Sequence, residues 1–93
     1  MRDAAEIRAA LEDDRAIDRL ATIEHERWAH WQQYLHDQCE RRENGALVIP
    51  AELVSRWEEQ IRTPYAGLSP EEQESDREQV RRYLSTVVEV LTD

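Results

Sequence analysis

The chain has 93 residues, with 21 acidic side chains against 12 basic ones and a formal net charge of −9. That length supports one small domain with a thin margin of buried surface and leaves no room for a catalytic cleft between domains. The charge disfavours non-specific binding to DNA, RNA or anionic membrane, and no apolar run approaches the ~20 residues needed to cross a bilayer. With 40% hydrophobic and 35% charged residues, the composition suits amphipathic helices; two glycines and three prolines leave too few turn residues for a many-stranded β fold.

Residues 3–13 predict a short helix with Ile7, Ala10 and Leu11 on one stripe. Asp14 is the expected N-cap of a second helix, in which Ile17, Leu20, Ala21, Glu24, Trp28, Trp31 and Leu35 recur at three- and four-residue spacing. Glu24 is the one polar intruder on that stripe. No glycine or proline interrupts the chain before Gly45, so the helix is expected to reach about Arg42, roughly 40 Å by helical rise. Asn44-Gly45 reads as a turn, Leu47-Val48-Ile49 as a brief extended stretch, and Pro50 as the first turn of a helix carrying Leu53, Val54, Trp57 and Ile61 inward. After a loop at 64–68, Ser69-Pro70-Glu71-Glu72 is a strong helix start. Ser69 is the N-cap and Glu72 closes a capping box. The last helix runs to about Leu91 with Val80, Tyr83, Leu84, Val87, Val88 and Leu91 expected inward. The fold class is therefore all-α: a small three- to four-helix domain with one long central helix. It is read as a single domain over residues 1–93, with 1–14 as an N-terminal helical extension and 15–92 as the core.

The chemistry-bearing residues give few leads. Cys39 is the only cysteine, so no intrachain disulfide forms and a reducing cytoplasm is the expected compartment. His25-Glu26 opens like a zinc-protease helix, but the next histidine, His30, stands five residues on and roughly 140° around the helix, so the two cannot share a metal. Phosphate-loop, dinucleotide-fold and nucleophile-elbow motifs are absent. No catalytic residues, no metal site and no cofactor are expected, and the chain is read as non-enzymatic. All 12 basic residues are arginine, so every cation is a planar multi-donor group suited to carboxylates, phosphates and aromatic faces. Three tryptophans stand in for the absent phenylalanine. Trp28 and Trp57 are expected in the core, and Trp31 and Tyr34 at an edge where they complete a dimer interface or stack a planar ligand.

Three motifs fall in order: Leu20-Ala21-x-x-Glu24-His25-Glu26-Arg27-Trp28, then Pro64-Tyr65-x-x-Leu68, then Glu71-Glu72-x-x-x-Asp76-Arg77-x-x-Val80-Arg81. Together they resemble the ryanodine-receptor repeat (RyR) domain, found in animal calcium channels and in small bacterial and phage proteins. The sequence departs from the family where Trp31–Leu35 continues as helix and where Gln73 replaces a lysine. The resemblance implies a ligand-binding module without chemistry: a binder of a small nucleotide-derived molecule, sensing a signal in a bacterium or, in a phage, sequestering a host immune signal. On that reading His25, Glu26, Arg27, Trp28, Tyr65, Arg77 and Arg81 form the site. Trp28 and Tyr65 wall a purine, the arginines take phosphates, and Glu24, His25 or Glu26 reads a ribose or base edge. The same residues also fit an interhelical clamp, with Glu26 and Arg27 paired to Arg77 and Asp76 and with Tyr65 set onto Trp28. The alternative function is a protein–protein interaction module with an acidic surface, such as a phage-encoded inhibitor of a host protein. A homo-oligomer, dimer or larger, in the cytoplasm of a bacterial cell is expected in either case.

Overall fold

The computed structural model describes residues 2–92. The protein is all-α, with four helices and one two-stranded hairpin: α1 (Ala4–Glu12), α2 (Asp14–Gln38), β1 (Glu40–Arg41), β2 (Leu47–Val48), α3 (Ala51–Arg62), a 3-10 turn (Tyr65–Gly67) and α4 (Pro70–Thr92). The 25-residue α2 is the long helix that the apolar spacing called for. No helix among the described residues is long and apolar enough to cross a membrane.

Local chemistry accounts for most boundaries. Asp3 caps α1 by accepting a hydrogen bond from the backbone N–H of Glu6 at 2.9 Å. The start of α2 is capped by Asp13, one residue earlier than expected: its Oδ2 accepts the Arg15 N–H at 3.1 Å and its carbonyl accepts the Ile17 N–H at 2.9 Å. One aspartate thus ends α1 and begins α2. The capping box at α4 is as the sequence reads, with the Ser69 hydroxyl accepting the Glu72 N–H at 3.2 Å and the Glu72 carboxylate accepting the Ser69 N–H at 3.0 Å.

The helix expected to reach Arg42 stops at Gln38. Beyond it the backbone exchanges helical bonds for a hairpin, with Glu40 opposite Val48 and Arg41 opposite Leu47. Gly45 sits at φ +89°, the region where only glycine is at ease, and the Asn44 side chain accepts the Ala46 N–H at 3.0 Å to close the turn. The thiol of Cys39, half-buried, donates to the Leu35 carbonyl at 3.1 Å in the place where the next helical turn would have begun.

The chain packs as two compact units. One comprises the chain up to Trp28 together with the chain from Asp76 on; the other is Ala29–Ser75. In the first, Ala16 is 3% exposed and is the one buried residue among those described. Around it Leu11, Leu20, Ile23, Tyr83, Val87 and Val90 are half-buried. In the second, Leu35, Leu53, Val54, Trp57 and Leu68 are half-buried and none is enclosed. Several expected core positions lie outside. Trp28 is 55% exposed, and Ile17, Ile61, Val80, Leu84 and Val88 are exposed as well. The reason is geometric: each helix carries an apolar face wider than the neighbour within its own unit covers, so only part of each stripe turns inward.

Candidate functional site

The first unit brings the H-E-R-W stretch of α2 beside the C-terminal half of α4. Three polar links join them. Arg19 donates to Glu89, the Tyr83 hydroxyl donates to Glu24, and Arg82 donates to Glu26 at 2.7 Å. Seven residues forward along α2, from Arg19 to Glu26, match seven backward along α4, from Glu89 to Arg82. That is an antiparallel register held over about two helical turns. All six side chains are partly solvated, so the links fix register more than they add stability.

Glu24, the polar intruder of the α2 stripe, is the hub. Its carboxylate accepts from Arg27 Nε at 3.2 Å and from Arg27 Nη2, and its Oε2 also takes the Tyr83 hydroxyl. The Arg27 bonds, then the Tyr83 bond, hold the Glu24 carboxyl down to about 2. The same bond to Glu24 raises Arg27 further above its ordinary value, and the negative Glu24 raises the Tyr83 phenol. The charged state of this cluster is a closed carboxylate–guanidinium pair bridged by a phenol.

The seven residues marked by the sequence are placed as follows. His25 and Trp28 stack on one another, ring centroids 6.1 Å apart and 22° from parallel. Glu26 is held by Arg82, and Arg27 is held by Glu24. Glu26 thus reaches across to α4, while Arg27 pairs within α2. Arg77 and Arg81 lie on α4 in this unit, and both already have partners within the chain. By the antiparallel register Arg27 comes level with Arg81, one turn from Arg77. Tyr65 belongs to the other unit, in the 3-10 turn, exposed, where its carbonyl accepts from the Gln73 amide at 2.9 Å. Arg82 and Tyr83, which complete the network, were not marked by the sequence. Tyr83 carried a signal in its place on the inward stripe of α4, whereas Arg82 is readable only once the register is known.

No family model, no curated protein and no solved structure matches the chain. Function rests on the surfaces themselves.

Two concavities lie elsewhere than the shallow trough that Arg81, Leu84, Ser85, Val88 and Glu89 border on α4. One, of about 300 Å³ in the first unit, is lined by Arg2, Arg15, Arg19 and Asp13 over a floor of small residues that includes Ala9, Ala10 and Ala16. Arg19 is already held by Glu89, so the three guanidiniums of this cavity stand against two carboxylates, of which Asp13 is in the lining. The other, of about 270 Å³ in the second unit, is an aromatic groove formed by Trp31, Tyr34, Leu35, Trp57, Gln60 and Ile61. Trp31 and Tyr34 meet edge to face there, centroids 5.6 Å apart. Gln60 also donates to Glu72, which leaves the groove nearly without polar handles. Among the described residues no three histidine, cysteine or carboxylate side chains converge as a metal ion would require.

Proposed function

We propose that the protein is a non-enzymatic protein-interaction module that engages a partner through the aromatic groove of the second unit. The observation that carries this reading is the exposure of its large apolar side chains: Trp31, Tyr34 and Ile61, the last 81% exposed, border one groove, while a single residue of the described chain is buried. Contiguous apolar surface ringed by charge is the mark of a docking site. Trp and Tyr are the side chains that anchor such sites. The net charge of −9 favours a partner whose apolar anchor is flanked by basic residues. The test is a photo-reactive amino acid placed at Ile61 and, as a control, at Glu58, in cells that produce the protein. One dominant adduct from position 61 alone is expected. The purified adduct protein should then bind the wild type at least ten-fold more tightly than Trp57→Ala, and less tightly as salt rises. Equal labelling from both positions would overturn the reading.

A second reading, binding of a small anionic, nucleotide-derived ligand, is favoured by a different observation, the cavity lined by Arg2, Arg15 and Arg19. Arg27 is a poorer phosphate ligand than its motif promises, because a phosphate there must displace Glu24. The resemblance to RyR domains leads to the same ligand class. Thermal shift against a panel of nucleotides, cyclic nucleotides and ADP-ribose derivatives tests it. A rise in melting temperature that Arg15→Ala abolishes supports the reading, and a flat panel at millimolar ligand removes it.

A further inference from the structure

Asn44 is the only asparagine in the chain, and it stands directly before Gly45, one of only two glycines. An asparagine in that setting carries its own electrophile and nucleophile. The backbone nitrogen of the next residue attacks the side-chain Cγ through a five-membered ring, and glycine, lacking a Cβ, leaves that nitrogen uncrowded.

The β1–β2 turn holds the pair in a defined way. The Gly45 N–H donates to the Arg42 carbonyl at 3.0 Å, and the Arg42 N–H donates to the Ala46 carbonyl at 2.8 Å. With Gly45 at φ +89°, this is a tight turn closed by a glycine in the left-handed region. Asn44 Oδ1 accepts the Ala46 N–H at 3.0 Å. The ring closed by that bond contains both Asn44 Cγ and the Gly45 nitrogen, so the two reacting atoms are kept on one short loop. The same N–H draws charge from the Cγ carbonyl and stands ready for the oxyanion that forms on attack. Residues 40–46 are all exposed, and a methyl group at Gly45 would meet nothing within 4 Å, so hydroxide and water reach the turn. One contact opposes the reaction. The attacking nitrogen must first give up its proton, and that proton is held by the Arg42 carbonyl.

We infer that Asn44 is a site of spontaneous covalent modification in the folded protein, an intramolecular deamidation paced by release of the Gly45–Arg42 hydrogen bond. Hydroxide removes the Gly45 N–H proton, and the nitrogen forms a bond to Cγ. The bond from Cγ to Nδ2 then breaks, and ammonia leaves with a proton returned from water. No oxidation or reduction takes place. Water next opens the cyclic imide. Cleavage at Cγ leaves aspartate, whose carboxylate still accepts the Ala46 N–H. Cleavage at the main-chain carbonyl leaves isoaspartate, which routes the backbone through the side chain and adds a methylene to the turn. That product breaks the turn that sets Glu40 opposite Val48, and either product adds one negative charge to the −9 of the chain. The turn is distinct from the aromatic groove, and the inference does not depend on the partner proposed there.

The experiment is mass spectrometry of the full chain held at 37 °C for four weeks at pH 7.5, 8.5 and 9.5, folded and in 6 M guanidinium, beside Asn44→Gln. The folded wild type is expected to gain about 1 Da, faster as pH rises, because one amide becomes one carboxyl. Proteolytic mapping is expected to give both aspartate and isoaspartate at position 44. Asn44→Gln, which must close a six-membered ring, is expected to react at least ten-fold more slowly. Guanidinium, which frees the Gly45 N–H, is expected to speed the wild type at least three-fold. In the separated products, the Arg42 amide is expected to exchange with deuterium at least three-fold faster in the isoaspartate form than in the aspartate form. A folded chain of unchanged mass after four weeks at pH 8.5, a gain that Asn44→Gln retains, or aspartate as the single product would each overturn the inference. A denatured chain no faster than the folded one would overturn the pacing by the Gly45–Arg42 bond, and equal exchange in the two products would overturn the opening of the turn.

Discussion

At the residue scale, Glu24 makes the clearest statement about pH. Its carboxyl titrates near 2 in the folded chain against an ordinary 4.5, so its contribution to stability is complete above 4.5 and is lost as pH falls through about 2. Tyr83 runs the other way. Its phenol is raised above 10, so its hydrogen bond stabilises at lower pH and is lost as the phenol ionises. Thermal melts across pH are expected to show Glu24→Gln less stable than the wild type above 4.5, with the gap closing toward pH 2. Tyr83→Phe is expected to remove the alkaline step. Trp28 supplies a second residue-scale outcome. Truncating a buried tryptophan costs about 3–5 kcal/mol, whereas Trp28, more than half exposed and stacked only on His25, should lose well under half of that on Trp28→Ala in a urea titration. The apolar period of α2 placed Trp28 on the correct stripe, but period does not reveal how far along a stripe the neighbouring element reaches.

At the scale of elements, structure follows short-range chemistry wherever that chemistry is self-contained. Ser69 and Glu72 satisfy one another's backbone donors with no help from elsewhere, which is why the start of α4 was legible residue by residue. Ser69→Ala is expected to cost about 1 kcal/mol in denaturant unfolding. Gly45 was legible for the same reason. Gly45→Ala should destabilise by roughly 1 kcal/mol through backbone conformation alone, because a methyl group there meets open space. The end of α2 was not legible: Glu40, Arg41 and Arg42 are acceptable helix residues, and only pairing with Leu47 and Val48 draws two of them into a strand. The polar network was half legible. Glu24, Glu26 and Arg27 stand out in the sequence, but Arg82 and Tyr83 acquire their roles from an antiparallel register that no local pattern encodes.

At the scale of the whole molecule, the notable quantity is how little is enclosed. The helices read from sequence as three or four amphipathic elements that bury their apolar faces on one another, and four are present among the described residues. The expected burial is not, because a repeating apolar face shows that something must cover it without showing whether the cover comes from the same chain. Ile61 gives a simple check: at 81% exposure, Ile61→Ser should leave unfolding free energy within about 0.5 kcal/mol of the wild type, while its affinity for the purified adduct protein falls. With Ala16 alone among the described residues sealed from solvent, little beyond helical bonding stands between the amide hydrogens and deuterium, and a protease finds few closed doors.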